Sequence, residues 1–176
     1  WNYRAPFSPI DVIEEYTRPA RIKINNQIIV KEALSDIQNF EVEGIGELEA
    51  FLTDGLRTLL HSDHIISKVP NFSEYTIRYP GHANLVKDLI QNGGFSEQQI
   101  EKTCQELFEQ WKLTDEEEFT FMLILARTKD GEELSYTVYD EKTDGWSSMS
   151  RTTGLTACAF TKLLISRKIN DKGIQC

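Results

Sequence analysis

The spacing of apolar and polar residues in the first third of the chain predicts one short helix followed by several strands. A helix is expected over residues 9–16, because Ser8 provides an N-cap and a proline occupies the first helical position. Residues 21–24 and 27–30 have the composition of strands, and the Asn25-Asn26 pair between them is typical of a tight hairpin turn. Further strands are expected over 37–42 and 48–52, followed by a helix over 54–61.

In the middle of the chain, apolar side chains in residues 74–79 alternate with Glu74, Thr76 and Arg78. Such alternation predicts a half-buried strand with these three polar side chains on one face. A helix is expected to follow over 83–91, ending at a pair of glycines.

The second half of the chain opens with Ser96 and Gln99, which have the spacing of a capping box. The helix that they predict carries an apolar stripe consisting of Ile100, Cys104, Leu107 and Trp111. The nearly continuous apolar run 119–126 predicts a central strand buried on both faces. A strand over 134–139 and a last helix over 154–165 complete the expected elements.

These elements predict an α+β fold, with a mixed, largely antiparallel sheet and helices mainly on one face. The length of 176 residues suits one domain covering 1–176. The chain begins at Trp1, within an aromatic stretch, and stops just after a Lys-Gly turn, so we expect it to be part of a longer protein.

Charge and composition exclude several classes of protein. The net charge is −9, and no Lys/Arg cluster is longer than a pair, which argues against nucleic-acid binding. The sequence contains no run of about 18 apolar residues, so it does not predict a membrane span. Cys104, Cys158 and Cys176 have neither zinc-site nor disulfide spacing, and the first two are expected to be buried on apolar helix faces. Free thiols fit a reducing cytoplasm.

Three segments share an arrangement that would suit an anionic ligand: a strand end, a nearby glycine, a helix start and an arginine. They are Thr53-Asp54-Gly55-Leu56-Arg57, Arg78-Tyr79-Pro80-Gly81-His82 and Arg151-Thr152-Thr153-Gly154. A helix N-terminus offers unpaired N–H groups, and arginine binds carboxylates bidentately. If the three segments meet in space, they predict a site for a small ligand with several carboxylates. Alternatively, each arginine pairs with an acidic neighbour, and each glycine only turns the chain.

A nucleotide-binding loop is not predicted from these residues. The one approximation to G-x-G-x-x-G begins at Gly44-Ile45-Gly46, and its third glycine position is Glu49. It leads into an expected strand rather than a helix, so we interpret it as a structural turn.

Four stretches in this order resemble the second domain of the saccharopine dehydrogenase family, especially the branch similar to lysine dehydrogenase. Two of them are the segments Arg78-Tyr79-Pro80-Gly81-His82 and Arg151-Thr152-Thr153-Gly154. A third runs from Phe7-Ser8-Pro9-Ile10-Asp11 to Pro19-Ala20-Arg21, and a fourth from Gly44-Ile45-Gly46-Glu47 to Gly55-Leu56-Arg57. Together they cover nearly the whole chain.

The resemblance implies a fold similar to the C-terminal domain of glyceraldehyde-3-phosphate dehydrogenase, and a role in lysine metabolism. In that family a Rossmann domain binds NAD or NADP, and the second domain supplies substrate contacts and much of a homodimer interface. The Rossmann motif is missing from this stretch, so we expect it to bind no cofactor alone and to be inactive without that domain. The reaction implied is hydride transfer at the CH–NH group of an amino acid such as saccharopine or lysine, or of a polyamine precursor.

Ligand-binding roles follow from the resemblance, and no catalytic residue or metal ligand is assigned. Arg57 and Arg78 would bind substrate carboxylates, and Asp54 would orient Arg57 or receive an ammonium group. At the last helix, Arg151, Thr153 and the N–H of Gly154 would bind a further carboxylate.

Two aromatic residues complete the candidate site, each with a structural alternative. Phe7 would line the pocket or belong to the core. His82 would act as an acid or base, given an ordinary pKa near 6.5, or only cap and pack.

Two other functions stay open on the sequence alone. One is a free-standing ligand-binding or dimerisation module without catalysis, and the other is a purely structural interaction domain. A G-x-G-x-x-G motif encoded upstream of Trp1 would favour the oxidoreductase.

Overall fold

The computed structural model of the protein describes residues 1–5, 8–61 and 68–170, which divide into two compact units, Trp1–Lys112 and 113–170. Within the described residues, the first unit contains three α-helices, one 3-10 helix and five strands. Its elements are α1 (Pro9–Thr17), β1 (Ala20–Ile24), β2 (Gln27–Lys31), β3 (Gln38–Val42), β4 (Gly46–Leu52), a 3-10 helix (Arg57–His61), β5 (Tyr75–Arg78), α2 (His82–Gln91) and α3 (Ile100–Trp111).

The core of the first unit forms where α1, β4 and α3 bring their apolar stripes together. Tyr16, Phe51 and Trp111 are fully buried in it. The stripe expected on α3 is confirmed, with Cys104 and Leu107 buried beside Trp111. The helix itself begins at Ile100 without a side-chain cap, so the predicted capping box at Ser96 is wrong.

The strands of the first unit form two small antiparallel sheets, β1-β2 and β3-β4-β5. Asn25 and Asn26 turn the first hairpin with φ of 50° and 65°, the left-handed conformation that asparagine tolerates. Gly44 and Gly46 turn the chain between β3 and β4 with φ of 81° and 103°. Both predicted turns are confirmed.

The described part of the second unit, residues 113–170, contains one long hairpin and one long helix. β6 (Phe119–Arg127) and β7 (Glu133–Glu141) pair antiparallel along their whole length, and α4 (Ser148–Ile165) follows. The prediction of a central strand over 119–126 is wrong, because β6 has only β7 as a described partner and its apolar residues from Ile124 onward are exposed. Continuous apolar sequence therefore does not mean burial within this unit.

The α+β class is confirmed, and every described strand pair is antiparallel. The strands form three small sheets rather than one mixed sheet. The helix predicted over 54–61 is a shorter 3-10 helix, and Cys158, expected to be buried, is exposed. No described helix has the length and hydropathy needed to cross a membrane.

Candidate functional site

A line of polar side chains runs along one face of β5, beneath α1. Alternation along a strand places Glu74, Thr76 and Arg78 on the same face. The Thr53 hydroxyl donates to Glu74 Oε2 over 2.7 Å, so the Thr76 hydroxyl, 2.8 Å away, donates to Thr53. Glu15 of α1 lies 3.8 Å from Arg78. We call these five residues the polar strip.

Arg78 is held at the upper end of the polar strip by contacts on several sides. Its Nε donates to the Tyr16 hydroxyl over 3.3 Å, and its Nη1 donates to the carbonyl of Ile77 over 2.8 Å. The guanidinium lies 4.3 Å from the centre of the Tyr3 ring, which is a cation–π distance. Its Nη2 faces Glu15, and the side chain is 17% exposed. The guanidinium is therefore fixed in orientation by these contacts, and the side chain is partly exposed.

The hydrogen bonds from Arg78 continue inward in one direction. Arginine has no acceptor, so Tyr16 accepts from Arg78 and its own proton goes to His82 Nε2, 2.9 Å away. His82 then carries its proton on Nδ1, 3.5 Å from the carbonyl oxygen of Trp1. This series fixes the tautomer of a fully buried histidine.

The charges at this end follow from burial and from Arg78. Burial, aided by the Arg78 charge, lowers the pKa of His82 to about 3, so the ring is neutral near pH 7. This argues against the predicted role of His82 as an acid at that pH. Burial lowers the pKa of Arg78, but Tyr16, Tyr3 and Glu15 outweigh burial and leave it raised, so the guanidinium stays cationic. Burial raises the pKa of Glu15, and Arg78 opposes that rise.

Asp54 and Arg57 lie at the other end of the polar strip. The Asp54 carboxylate binds Arg21 through two side-chain hydrogen bonds of 2.9 Å and accepts its backbone N–H over 3.1 Å. These bonds to Arg21 lower the pKa of Asp54. Arg57 lies 4.0 Å from the same carboxylate, with its side chain 55% exposed. Asp54 is therefore bound mainly to Arg21 and only loosely to Arg57. The sequence pattern did not identify Arg21 as its partner.

Backbone N–H groups at two turns of the first unit, the start of α2 and the turn before the 3-10 helix, already donate to glutamate carboxylates of the same chain. Glu49, which is buried, accepts the backbone N–H groups of Gly81 over 2.8 Å and Ala83 over 2.6 Å at the start of α2. Glu74 accepts the N–H of Gly55 over 3.0 Å, before the 3-10 helix. The N–H groups that were expected to bind a ligand anion at these two turns therefore already bind side chains of the protein.

The expectation that the last helix begins at Gly154 is wrong. α4 begins at Ser148, whose N–H donates to Glu118 over 2.5 Å, and the Ser147 hydroxyl caps the first turn. The N–H of Gly154 therefore lies inside the helix, where it offers no free helix end. Thr153 is exposed on the same helix.

The three arginines of the predicted anion site each have an acidic neighbour. Arg57 is near Asp54 and Arg78 is near Glu15, both in the first unit. Arg151 lies in the second unit and binds Asp140 over 3.2 Å. The alternative interpretation, in which each arginine pairs locally, therefore fits the contacts.

Two further predictions concern residues near the site. Phe7 lies outside the described residues. The Gly44–Gly46 turn connects two antiparallel strands instead of opening a helix, so it does not fit a dinucleotide phosphate site. Within the described ranges, no group of three or more His, Cys, Asp or Glu residues is arranged to hold a metal ion.

Comparisons with known proteins agree with this architecture. The family model of the saccharopine dehydrogenase C-terminal domain matches residues 1–176. Among solved structures, apo histidine-tagged saccharopine dehydrogenase (L-Glu forming) from Saccharomyces cerevisiae is similar to this chain, with a TM-score of 0.68 and 15% sequence identity. The match covers 98% of this chain and 56% of the yeast chain, so the present chain spans little more than half of that relative's length. The chain belongs to the saccharopine dehydrogenase C-terminal domain family.

Proposed function

We propose that the chain is the substrate-binding domain of an NAD(P)-dependent oxidoreductase that acts on the CH–NH group of an amino acid of the saccharopine or lysine type. Membership of the family supports a role in an amino-acid dehydrogenase. NAD or NADP would bind to a Rossmann domain of the same protein, and the chain alone would be inactive. Free thiols at Cys104 and Cys158 are consistent with a cytoplasmic location.

The orientation of Arg78 is the observation on which the proposed substrate role rests. Tyr16 and Tyr3 contact its guanidinium, Nη2 lies beside Glu15, and the side chain is partly exposed. An arginine that is fixed before binding loses little entropy when it binds a carboxylate. In this proposal a substrate carboxylate binds Nη2.

The strand register suggests how a second carboxylate would bind. Arg78 is opposite Glu49, whereas Leu52, opposite Tyr75, is the last residue of β4 before the turn that leads to Arg57. Three strand steps separate these pairs, or roughly 10 Å. Arg57 and Arg78 would therefore hold two different carboxylates of an extended substrate, not one carboxylate between them.

The proposal is tested by titrating the chain with saccharopine, lysine and glutamate, using calorimetry and NMR. Arg57→Ala removes an exposed cation and should weaken dicarboxylate binding at least tenfold without changing the melting temperature. Arg78→Lys keeps the charge but loses the fixed planar fork and should weaken binding similarly. The matched control is Arg127→Ala, which removes an arginine that is 73% exposed in the second unit.

Equal affinity in Arg127→Ala, Arg57→Ala and the unchanged chain would contradict the assignment of Arg57. An absence of heat and shift changes with all three ligands would favour a structural interaction domain. We also propose that the protein is a homodimer through this domain.

A further inference from the structure

The Arg78 guanidinium and the Glu15 carboxylate lie side by side without forming a hydrogen bond. The distance from Arg78 Nη2 to Glu15 Oε2 is 3.8 Å, which is beyond hydrogen-bond range. The other two nitrogens of the guanidinium already donate, Nε to the Tyr16 hydroxyl and Nη1 to the Ile77 carbonyl oxygen. Within the described part of the chain, Nη2 is therefore the nitrogen of Arg78 that still lacks a hydrogen-bond acceptor.

Glu15 has unused hydrogen-bonding capacity on the other side of this pair. Its side chain is 38% exposed, and its carboxylate accepts no hydrogen bond from any residue that the structure describes. An ionised carboxylate offers about four lone-pair sites. The other acid of the polar strip differs, because Glu74 already accepts from the Thr53 hydroxyl and from the N–H of Gly55. Of the two acids, Glu15 is the one whose carboxylate has no donor.

Buried neighbours hold these two groups in place. Glu15 precedes Tyr16 on α1, and Tyr16 is fully buried in the core of the first unit. The same Tyr16 accepts a hydrogen bond from Arg78, the last residue of β5. Tyr16 thus links the helix that carries the carboxylate to the strand that carries the guanidinium. The open donor and the open acceptor are therefore prearranged next to each other.

The charges around Glu15 favour an added cation. Burial raises the pKa of Glu15, and the carboxylates of Glu74 and Asp11 add to that rise, whereas Arg78 and Arg18 oppose it. Burial and the two neighbouring carboxylates thus disfavour the negative charge of Glu15. A cation that binds to this carboxylate would stabilise its ionised form.

We propose that Glu15 and Arg78 together bind a zwitterionic α-amino acid group, with its carboxylate on Arg78 Nη2 and its primary ammonium on Glu15. This inference rests on the substrate role of Arg78 in the proposed function and adds Glu15 as a residue that determines specificity. The nitrogen and the carboxyl carbon of such a group are about 2.5 Å apart, so both charges reach the pair at once. Each contact is a charge-assisted hydrogen bond. A ligand without the amine keeps the contact to Arg78 and loses the one to Glu15.

The test compares the affinities of the full chain for glutamate and glutarate, which differ in the amine, by calorimetry. The unchanged chain should bind glutamate at least tenfold more tightly. Glu15→Gln keeps the size of the side chain but removes its charge, so it should abolish this preference by weakening glutamate binding and not glutarate binding. The control is Glu14→Gln, which removes a neighbouring carboxylate that is 54% exposed and pairs with Arg18. It should leave the preference unchanged.

Equal affinity of the unchanged chain for the two acids would overturn the inference, and this comparison needs no variant. A Glu15→Gln chain that still prefers glutamate would overturn it as well, since the ammonium would bind elsewhere. In both cases the proposed function stands, because a carboxylate still binds. If neither acid binds the unchanged chain, the proposed function and this inference fail together. Both ligands are measured on the same preparation, so a general loss of folded protein does not alter the ratio of the two affinities.

Discussion

At the residue scale, two glutamate carboxylates hold the backbone turns around the candidate site. Glu49 binds two N–H groups at the start of α2, and Glu74 binds that of Gly55. Glu49 belongs to β4, and Glu74 lies immediately before β5. The N–H groups at those turns therefore already have acceptors within the protein.

Glu49→Ala should lower the free energy of unfolding by about 2–3 kcal/mol, because the N–H groups of Gly81 and Ala83 lose their acceptor. Urea denaturation measures this. Glu47→Ala is the control, since Glu47 lies on the same strand but is exposed. A loss for Glu49→Ala that is no larger than for Glu47→Ala would show that the cap contributes little.

His82 should make stability depend on pH. Its pKa in the folded chain is about 3, below the ordinary 6.5, so the unfolded chain binds a proton that the folded chain refuses between these values. Stability from this residue is fully present above about pH 6.5 and is lost as the pH falls towards 3, by at most ~1.4 kcal/mol per pH unit.

The measurement is urea denaturation from pH 7 to pH 4, comparing the chain with His82→Gln. The variant should show a shallower loss of stability over this range. Parallel curves would contradict the neutral, buried state of the ring.

Sequence patterns identified the positions of Arg57, Arg78 and Asp54 and anticipated the Arg57–Asp54 pair, but they did not identify Arg21 or Glu15 as partners. The carboxylate at Glu49 could have been suspected, because it interrupts an apolar strand on the side that faces the core. Arg21 was not foreseeable as the partner of Asp54, since 33 residues separate them. Only the fold brings β1 and the end of β4 together.

At the element scale, the sequence predicted short elements that a proline or an asparagine pair marks, but it placed the start of α4 six residues too late. The proline and asparagine signals marked α1 and the first hairpin correctly. Gly154 was taken for the start of the last helix, whereas the helix tolerates it in its interior. A glycine marks the end of a helix only where its φ is positive or where a neighbouring atom leaves no room for a Cβ.

Gly55 and Gly154 should respond in opposite directions to alanine. A Cβ on Gly55 would lie 2.5 Å from the Glu74 carboxyl carbon, so Gly55→Ala should lose about 1–3 kcal/mol as that side chain is displaced. A Cβ on Gly154 meets nothing within 4 Å, so Gly154→Ala should gain about 0.5–1 kcal/mol from helix propensity. Thermal unfolding measures both. A destabilised Gly154→Ala would place that residue outside a regular helix.

At the scale of the whole molecule, the two units differ in how they bury apolar surface. The first unit encloses a core around Trp111, and the second exposes most of its apolar side chains. The sequence pattern could not reveal this difference. The run 119–126 is as apolar as a buried strand. Its hydrophobic pattern does not predict whether other elements of the chain pack over it.

Amide hydrogen exchange should reflect this difference. The amides of β6 and β7 should exchange at least tenfold faster than those of β4 in dilute solution, because little buried surface must be exposed to open the hairpin. Equal protection of the two units in dilute solution would show that the hairpin is stable by itself.

The one-way hydrogen bonds from Arg78 through Tyr16 to His82 make the imidazole a built-in reporter. An anion resting on the guanidinium would offset the positive charge that the ring senses, and would leave the ring more basic. The nitrogen resonances of His82, which is fully buried, would then report whether a carboxylate is bound at Arg78.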